Sequence, residues 1–374
     1  MNKKIAFILP NLLTGGTQRA MINIATSLSK YNFDIVFLVV NKLSKSYSNN
    51  PTIEKKNVSN FDSSLVRTVF LECDGVKWSI FKIREVLKKE RPDVLFSSLS
   101  YFNLYISFLK FLLPKDILLI GRETNILSVK HLGLKYRSLL NYLYKRAYSK
   151  FDFMVCQSED MQIDLIEHYG ISKEKTIVIN NPVDSNSVIE RSKERLPEIK
   201  DEFYNIISVG HLTRQKGHEL LLNALSLIND SNIKLHIIGR GVLLESLKSK
   251  CVELDITEQV EFLGFRANPF KYISKCDLFV FPSQFEGFPN ALIEAGIIGI
   301  PLVANNCKGG INEIINSENG FISEYNSAID MAKKIQLCRQ KQFNKIIIRN
   351  DFVLRYDIDV IGKKYAELFQ SFFS

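Results

Sequence analysis

What this chain has little of narrows the field before any motif is read. Its 374 residues include six cysteines, at 73, 156, 251, 276, 307 and 338, and no two of them form a C-x-x-C pair. Neither a disulfide framework nor a zinc ribbon has that spacing; reduced, mostly buried thiols in a cytoplasmic protein do. A long apolar run is also missing. The most apolar window, residues 96–113, is interrupted by Ser97, Ser98, Ser100, Asn103, Ser107 and Lys110, too polar to be a membrane span. A strand pattern follows Met-Asn-Lys-Lys directly, so no signal peptide is expected. The glycines after that strand, Gly15 and Gly16, lack the G-x-G-x-x-G spacing, and a dinucleotide fingerprint is not met.

What is present has the composition of a folded chain, 46% hydrophobic and 24% charged, long enough for two domains with separate cores. The net charge of +9 is unevenly spread. Residues 1–184 carry 26 Lys plus Arg against 17 Asp plus Glu, whereas residues 185–374 carry 23 of each. A basic first half fits an anionic surface or acceptor, and it also fits plain lysine richness.

Apolar runs at 5–9, 34–40, 66–71, 93–96, 117–120, 153–156 and 176–179 predict strands of a largely parallel sheet. Amphipathic stretches at 17–30, 78–89, 134–149 and 159–168 predict helices between them, and residues 41–64 read as a polar loop. The alternation restarts at Tyr204, with strands at 204–209, 234–238, 260–262, 278–281, 301–304 and 320–322. Helices are expected at 219–227, 243–254, 291–296 and 327–338. The expected division is a first Rossmann-like domain at 1–184, a linker at 185–202, a second at 203–356 and a C-terminal helix at 357–374 that crosses back to the first domain. This is an α/β architecture of two Rossmann-like domains facing a cleft.

The most unusual stretch is Ser283-Gln-Phe-Glu-Gly-Phe-Pro-Asn-Ala-Leu-Ile-Glu294. Glu286 stands just past a strand's carboxyl end, where open α/β sheets place ligands. Asn290 is placed to cap the following helix, whose first N–H groups favour a phosphate, and Glu294 falls about one turn in. In the same half, Val209-Gly-His-Leu-Thr-Arg-Gln-Lys-Gly217 sets Arg214 and Lys216 at another strand's end, two cations suited to a pyrophosphate. Arg240 between glycines, Gly264-Phe265-Arg266 and Cys307-Lys-Gly-Gly310 read as further loops at the same edge. In the first half, Arg122, Glu123 and Asn125 follow a strand. Residues 134–150 mix lysine and arginine with tyrosine, a pattern that fits either an anionic lipid surface or a packed helix with a solvated face.

The second half resembles the nucleotide-sugar-binding domain of the retaining GT-B glycosyltransferases of family 4, the "glycosyl transferases group 1" proteins. The likeness rests on Val209-Gly-His-Leu212 with Gln215-Lys-Gly217, on Gly264-Phe265 and Phe281-Pro-Ser283, and on Glu286 through Ala295. Asn181-Pro-Val-Asp184 and Gly15-Gly16 also fit. The resemblance implies that Glu294 holds the ribose and Glu286 the donor sugar, with Glu286, Lys216 and Arg214 catalytic. It implies donor contacts from Gly16, His211, Arg266 and the run Gly287, Phe288, Pro289, Asn290, Ala291 and Leu292, the N–H groups from 288 to 292 meeting sugar and diphosphate. Arg122, Glu123 and Asn125 become acceptor-binding candidates. No metal and no cofactor are implied, since the nucleoside-diphosphate sugar is a substrate.

The implied activity moves a sugar from a UDP-sugar to a hydroxyl of a glycan or lipid-linked glycan, in bacterial surface polysaccharide synthesis. Nucleic acid is not an expected partner; an anionic membrane face is, for a cytoplasmic, peripheral protein. His211 departs from the family's usual arginine, and a neutral imidazole does not replace that charge at pH 7. The same residues would also suit a nucleotide-sugar epimerase or hydrolase, or a catalytically silent nucleotide-sugar-binding partner.

Overall fold

The computed structural model describes residues 2–11, 15–41, 66–73, 79–108, 110–195, 199 and 202–373. The expected loop at 41–64 therefore lies, apart from position 41, outside the described residues. The chain divides into two compact units, residues 1–182 with 358–374, and residues 183–357.

In the first unit β1 (Lys4–Leu9), β2 (Asp34–Asn41), β3 (Arg67–Cys73), β4 (Val94–Ser98), β5 (Leu118–Arg122), β6 (Phe153–Cys156) and β7 (Thr176–Val178) form one sheet. Its order is β3-β2-β1-β4-β5-β6-β7, parallel throughout. Both faces of the central strands are covered, which is why those strands read as apolar runs, whereas the edge strand β3 is largely exposed. Along β1, Ile5, Phe7 and Leu9 enter one core and Ala6 and Ile8 the other. The unit's longer helices among the described residues are α1 (Gly16–Leu28), α2 (Ile80–Glu90), α3 (Ser100–Phe108), α4 (Arg137–Tyr148) and α5 (Glu159–Tyr169). The C-terminal helix Ile358–Ser371 belongs to this unit too, setting Ile361, Tyr365 and Phe369 into the core beside Phe96 and Met21. Helix α3 was not expected: it lies inside the apolar window, where aromatic residues at nearly every turn position blur the 3.6-residue period.

The second unit is built from β8 (Tyr204–Val209), β9 (Ile233–Ile238), β10 (Val260–Gly264), β11 (Leu278–Phe281), β12 (Leu302–Asn305) and β13 (Gly320–Ser323). They pair in the order β10-β9-β8-β11-β12-β13, again all parallel. Helices α6 (Ser185–Ser192), α7 (His218–Ile228), α8 (Leu244–Glu253), α9 (Asn290–Ile298), α10 (Ala328–Gln340) and α11 (Lys345–Tyr356) cover it. Helix α6 occupies the start of the stretch read as linker. Asp184 caps it, accepting from Ser187 N at 2.9 Å, and Val188 is its buried anchor. Helix α11, also unforeseen, buries Ile348, Phe352 and Tyr356 in the same core as Leu292 and Ile293 of α9. Asn290 does not cap α9; Pro289 holds the cap position and Asn290 is the first helical residue.

Strand β8 has β9 on one side and β11 on the other. The helix after β8, α7, packs on one face of the sheet, and the helix after β11, α9, on the opposite face. The loops leaving β8 and β11 therefore part company at a topological switch point, the place where such sheets open a crevice for ligands.

Candidate donor-sugar site

Two loops meet at that switch point. The first leaves β8 and runs from Gly210 to Gly217; the second leaves β11 and runs from Pro282 to Pro289. Gln284 N donates to Gln215 O at 2.7 Å, and Gln215 Nε2 to Phe285 O at 3.0 Å. Gly217 closes the first loop in the left-handed region, φ 64°, and a Cβ there would stand 2.0 Å from Pro282 O. Only glycine permits both the turn and the approach.

With the loops locked, Lys216 Nζ donates to Glu286 Oε1 at 2.6 Å and lies 5.4 Å from the centre of the Phe281 ring. Side-chain exposure is 23% for Lys216 and 11% for Glu286, so each charge is mostly withdrawn from water and depends on the other. Glu286 is braced from a third loop. Its N–H donates to Lys308 O at 3.1 Å, and Gly309, at φ 122°, packs so closely that a Cβ would come within 2.2 Å of Glu286 O. Glu294, mostly buried, is the fifth residue of α9.

Behind Lys216 sits His218, the first residue of α7. It is buried, and among the described residues neither ring nitrogen has a hydrogen-bond partner. Burial, reinforced by the Lys216 charge, pushes its pKa down to about 4, so the imidazole is neutral at pH 7.

The neighbouring loops are stitched on in turn: Gly210 N to Ile238 O, Leu212 N to Arg240 O and Gly239 N to Gly264 O, each at 3.0 Å. His211 and Arg214 are exposed on this edge. Arg266 is exposed as well, and its Nε donates to the Tyr272 hydroxyl at 3.0 Å. Phe288 and Leu292 turn into the core, the Phe288 ring 5.8 Å from that of Tyr356. The Leu292 N–H is taken by Pro289 O at 3.0 Å, and Pro289 has no N–H to give. The run from 288 to 292 thus presents fewer amides than expected. The bracing by Gln215 and Gly309, and the placement of His218, were not visible as such; the glycines in the Lys-Gly and Lys-Gly-Gly turns were the available signal.

In the first unit Gly16 opens α1, directly after an extended Gly15. Two of the three acceptor candidates there, Arg122 and Glu123, are enclosed by the fold. Arg122 is fully buried, its guanidinium donating to Tyr365 Oη and Ser98 Oγ at 3.3 Å and to Asn181 Oδ1. Glu123 is fully buried too. Its carboxylate accepts from Ser100 Oγ at 2.6 Å, from the Thr124 and Asn125 amides at 2.6 and 3.0 Å, and from the Tyr148 hydroxyl. Burial raises its pKa above the usual carboxylate range, against the pull of those donors. Both residues serve the fold of this unit. Asn125 is only partly buried, with Nδ2 on Thr124 Oγ1 at 3.0 Å.

The sequence contains one Asp-x-Asp triplet, Asp357-Ile358-Asp359. Asp357 accepts from the Ser185 hydroxyl, and Asp359 pairs with Lys30 at 2.5 Å. Both carboxylates have structural partners.

Two parallel-sheet α/β units, one carrying a lysine and two glutamates at its switch point, define a GT-B type glycosyltransferase architecture. Two family models match in succession, "Glycosyltransferase Family 4" over residues 14–187 and "Glycosyl transferases group 1" over residues 189–350. A Haemophilus influenzae protein described as an uncharacterized glycosyltransferase is 30% identical over 90% of this chain and 90% of its own length. The chain belongs to the family 4, group 1 glycosyltransferases. A Campylobacter jejuni enzyme, N-acetylgalactosamine-N,N'-diacetylbacillosaminyl-diphospho-undecaprenol 4-alpha-N-acetylgalactosaminyltransferase, is 27% identical over 95% of this chain and 99% of its own. The Escherichia coli O-antigen biosynthesis glycosyltransferase WbnH is 30% identical over 78% of this chain and 80% of its own. Among solved structures, Anabaena Alr3699/HepE in complex with UDP superposes with a TM-score of 0.76 at 19% identity, covering 99% of this chain and 100% of that one.

Proposed function

We propose that this glycosyltransferase takes a UDP-sugar and transfers the sugar, with retention of anomeric configuration and without a metal ion, to a hydroxyl of a lipid-linked glycan used in bacterial surface polysaccharide synthesis. The observation that carries the proposal is the Lys216–Glu286 pair at the β8/β11 switch point. When a donor enters, Lys216 and the exposed Arg214 stabilise the departing diphosphate, and Glu286 orients the sugar and steadies positive charge at the anomeric carbon. The bond from the anomeric carbon to phosphate oxygen breaks as the acceptor oxygen bonds to the same face. The acceptor's proton passes to the departing phosphate oxygen. Glu294 accepts hydrogen bonds from the ribose hydroxyls. Support for the UDP-sugar comes from the UDP-bound Anabaena neighbour, and for the lipid-linked acceptor from the Campylobacter relative's undecaprenol substrate.

The test is thermal stabilisation by a panel of nucleotide sugars, followed by transfer to undecaprenyl-linked glycan and determination of the product's anomeric configuration. A ligand at 100 times its Kd stabilises by about 2.7 kcal/mol. Stabilisation only by non-uridine donors, or an inverted product, overturns the corresponding part of the proposal.

A further inference from the structure

We infer that the outer face of α4, with the turn that leads into it, is the surface by which the first unit rests on an anionic lipid bilayer. The inference rests on the lipid-linked acceptor proposed above and assigns that acceptor's membrane a place on the protein. Helix α4 turns Tyr144, Ala147 and Tyr148 inward. Its other side carries Leu139 and Tyr142, 56% and 59% exposed, with Arg146 one further turn along. The preceding turn adds Leu132, Leu134 and Tyr136, 55%, 48% and 63% exposed. Every residue from 132 to 139 is exposed.

Burial of five large apolar or amphipathic side chains would be favourable on any dry surface; the charges select which one. From residue 124 to 151 there are six Lys and Arg, at 130, 135, 137, 145, 146 and 150, and no Asp or Glu. Lys135 Nζ lies 5.6 Å from the centre of the Tyr136 ring, a cation and an amphipathic aromatic side by side. The half-buried neighbour Asn141 is committed inward, to His131 at 2.9 Å and the Tyr169 hydroxyl at 3.0 Å. The outer face therefore shows leucine, tyrosine and cations without a carboxylate, the composition of a helix lying in a lipid headgroup layer, leucines toward the acyl chains and cations toward lipid phosphates. Among the described residues no helix is long and apolar enough to cross a membrane.

The experiment uses the full chain and vesicles of phosphatidylcholine with or without phosphatidylglycerol, read by sedimentation at low and high salt. The expected result is binding to the anionic vesicles at low salt, weakened by salt, and little binding to phosphatidylcholine alone. Lys135→Gln and Arg137→Gln should each weaken binding roughly fivefold, and Leu139→Glu with Tyr142→Glu should abolish it. Melting temperature and UDP-induced stabilisation should stay as in the parent chain, since these side chains are exposed. Absence of binding at low salt, or equal binding by all variants, overturns the inference. So does a concentration-dependent self-association that the Leu139→Glu and Tyr142→Glu pair removes, which would make the face a protein interface. Transfer to detergent-dispersed lipid-linked glycan is measured alongside. Transfer without vesicle binding removes only this surface, whereas vesicle binding without transfer counts against the acceptor.

Discussion

Lys216 Nζ and Glu286 Oε1 stand 2.6 Å apart although the residues are 70 positions apart in the chain. The two form an ion pair in a largely dry place, with side-chain exposures of 23% and 11%. Glu286→Ala or Lys216→Ala should lower turnover on the order of a hundredfold or more, the loss typical of one transition-state charge contact. Glu286→Gln separates chemistry from packing. It keeps the side-chain shape and an acceptor oxygen for Lys216 but removes the opposing charge, so melting should fall less than in Glu286→Ala while turnover still falls. Normal turnover in all three variants, with the true acceptor, would remove the pair from the mechanism.

Gly309→Ala alters no charged group and should still damage the site. Its φ of 122° is unfavourable for alanine, and the new Cβ would lie 2.2 Å from Glu286 O, forcing the loop that carries Glu286 to shift. Small displacements of positioned groups weigh heavily on turnover, so a drop of at least tenfold is expected with UDP affinity much less affected. Steady-state kinetics beside UDP titration calorimetry checks this; parallel losses in both would point to general unfolding of the loop.

The pH dependence of stability should carry the mark of His218. Its native pKa is lowered to about 4 from an ordinary 6.5, so between these values the unfolded chain binds the proton and the native one does not. Stability is therefore fully present above about pH 6.5 and declines as pH falls toward 4, by on the order of 3 kcal/mol at the limit. Burial lowers the pKa of His236 as well, adding a decline of the same sign. His218→Leu should flatten the curve measured by urea unfolding from pH 7.5 to 4.5. An unchanged slope would assign the whole decline to other groups.

Arg122→Ala should act on stability and not on acceptor affinity. Removing the guanidinium leaves the buried groups of Tyr365, Ser98 and Asn181 without it, a loss in the range of about 3 kcal/mol or more. Glu123→Ala, which orphans the Tyr148 and Ser100 hydroxyls and two amides, should cost a similar amount. Urea unfolding reads the loss. A raised KM for the acceptor with unchanged stability would instead return both residues to the acceptor site.

The strands were legible because parallel strands buried on both faces must be written as short unbroken apolar runs. The switch-point site was legible through its odd local chemistry, a glutamate before Gly-Phe-Pro and a lysine before glycine. Where reasoning from the sequence went astray, the deciding partner was far away in the chain. Arg122 and Glu123 look like acceptor contacts until Asn181, Tyr365, Ser100 and Tyr148 close around them. Helix α6 looks like linker because one buried apolar residue, Val188, anchors an otherwise polar stretch. His218 passed unnoticed since its meaning lies in burial and missing partners, neither of which leaves a local pattern.

The C-terminal helix sets Ile361, Tyr365 and Phe369 into the core of the first unit. On the ribosome the first 182 residues emerge long before this helix does, and the second unit has everything it needs sooner. Phe96 and its neighbours then wait, incompletely covered, while the rest of the chain is made, a period when exposed apolar surface invites aggregation. Clipping the tail would accordingly injure the part of the molecule that was translated first.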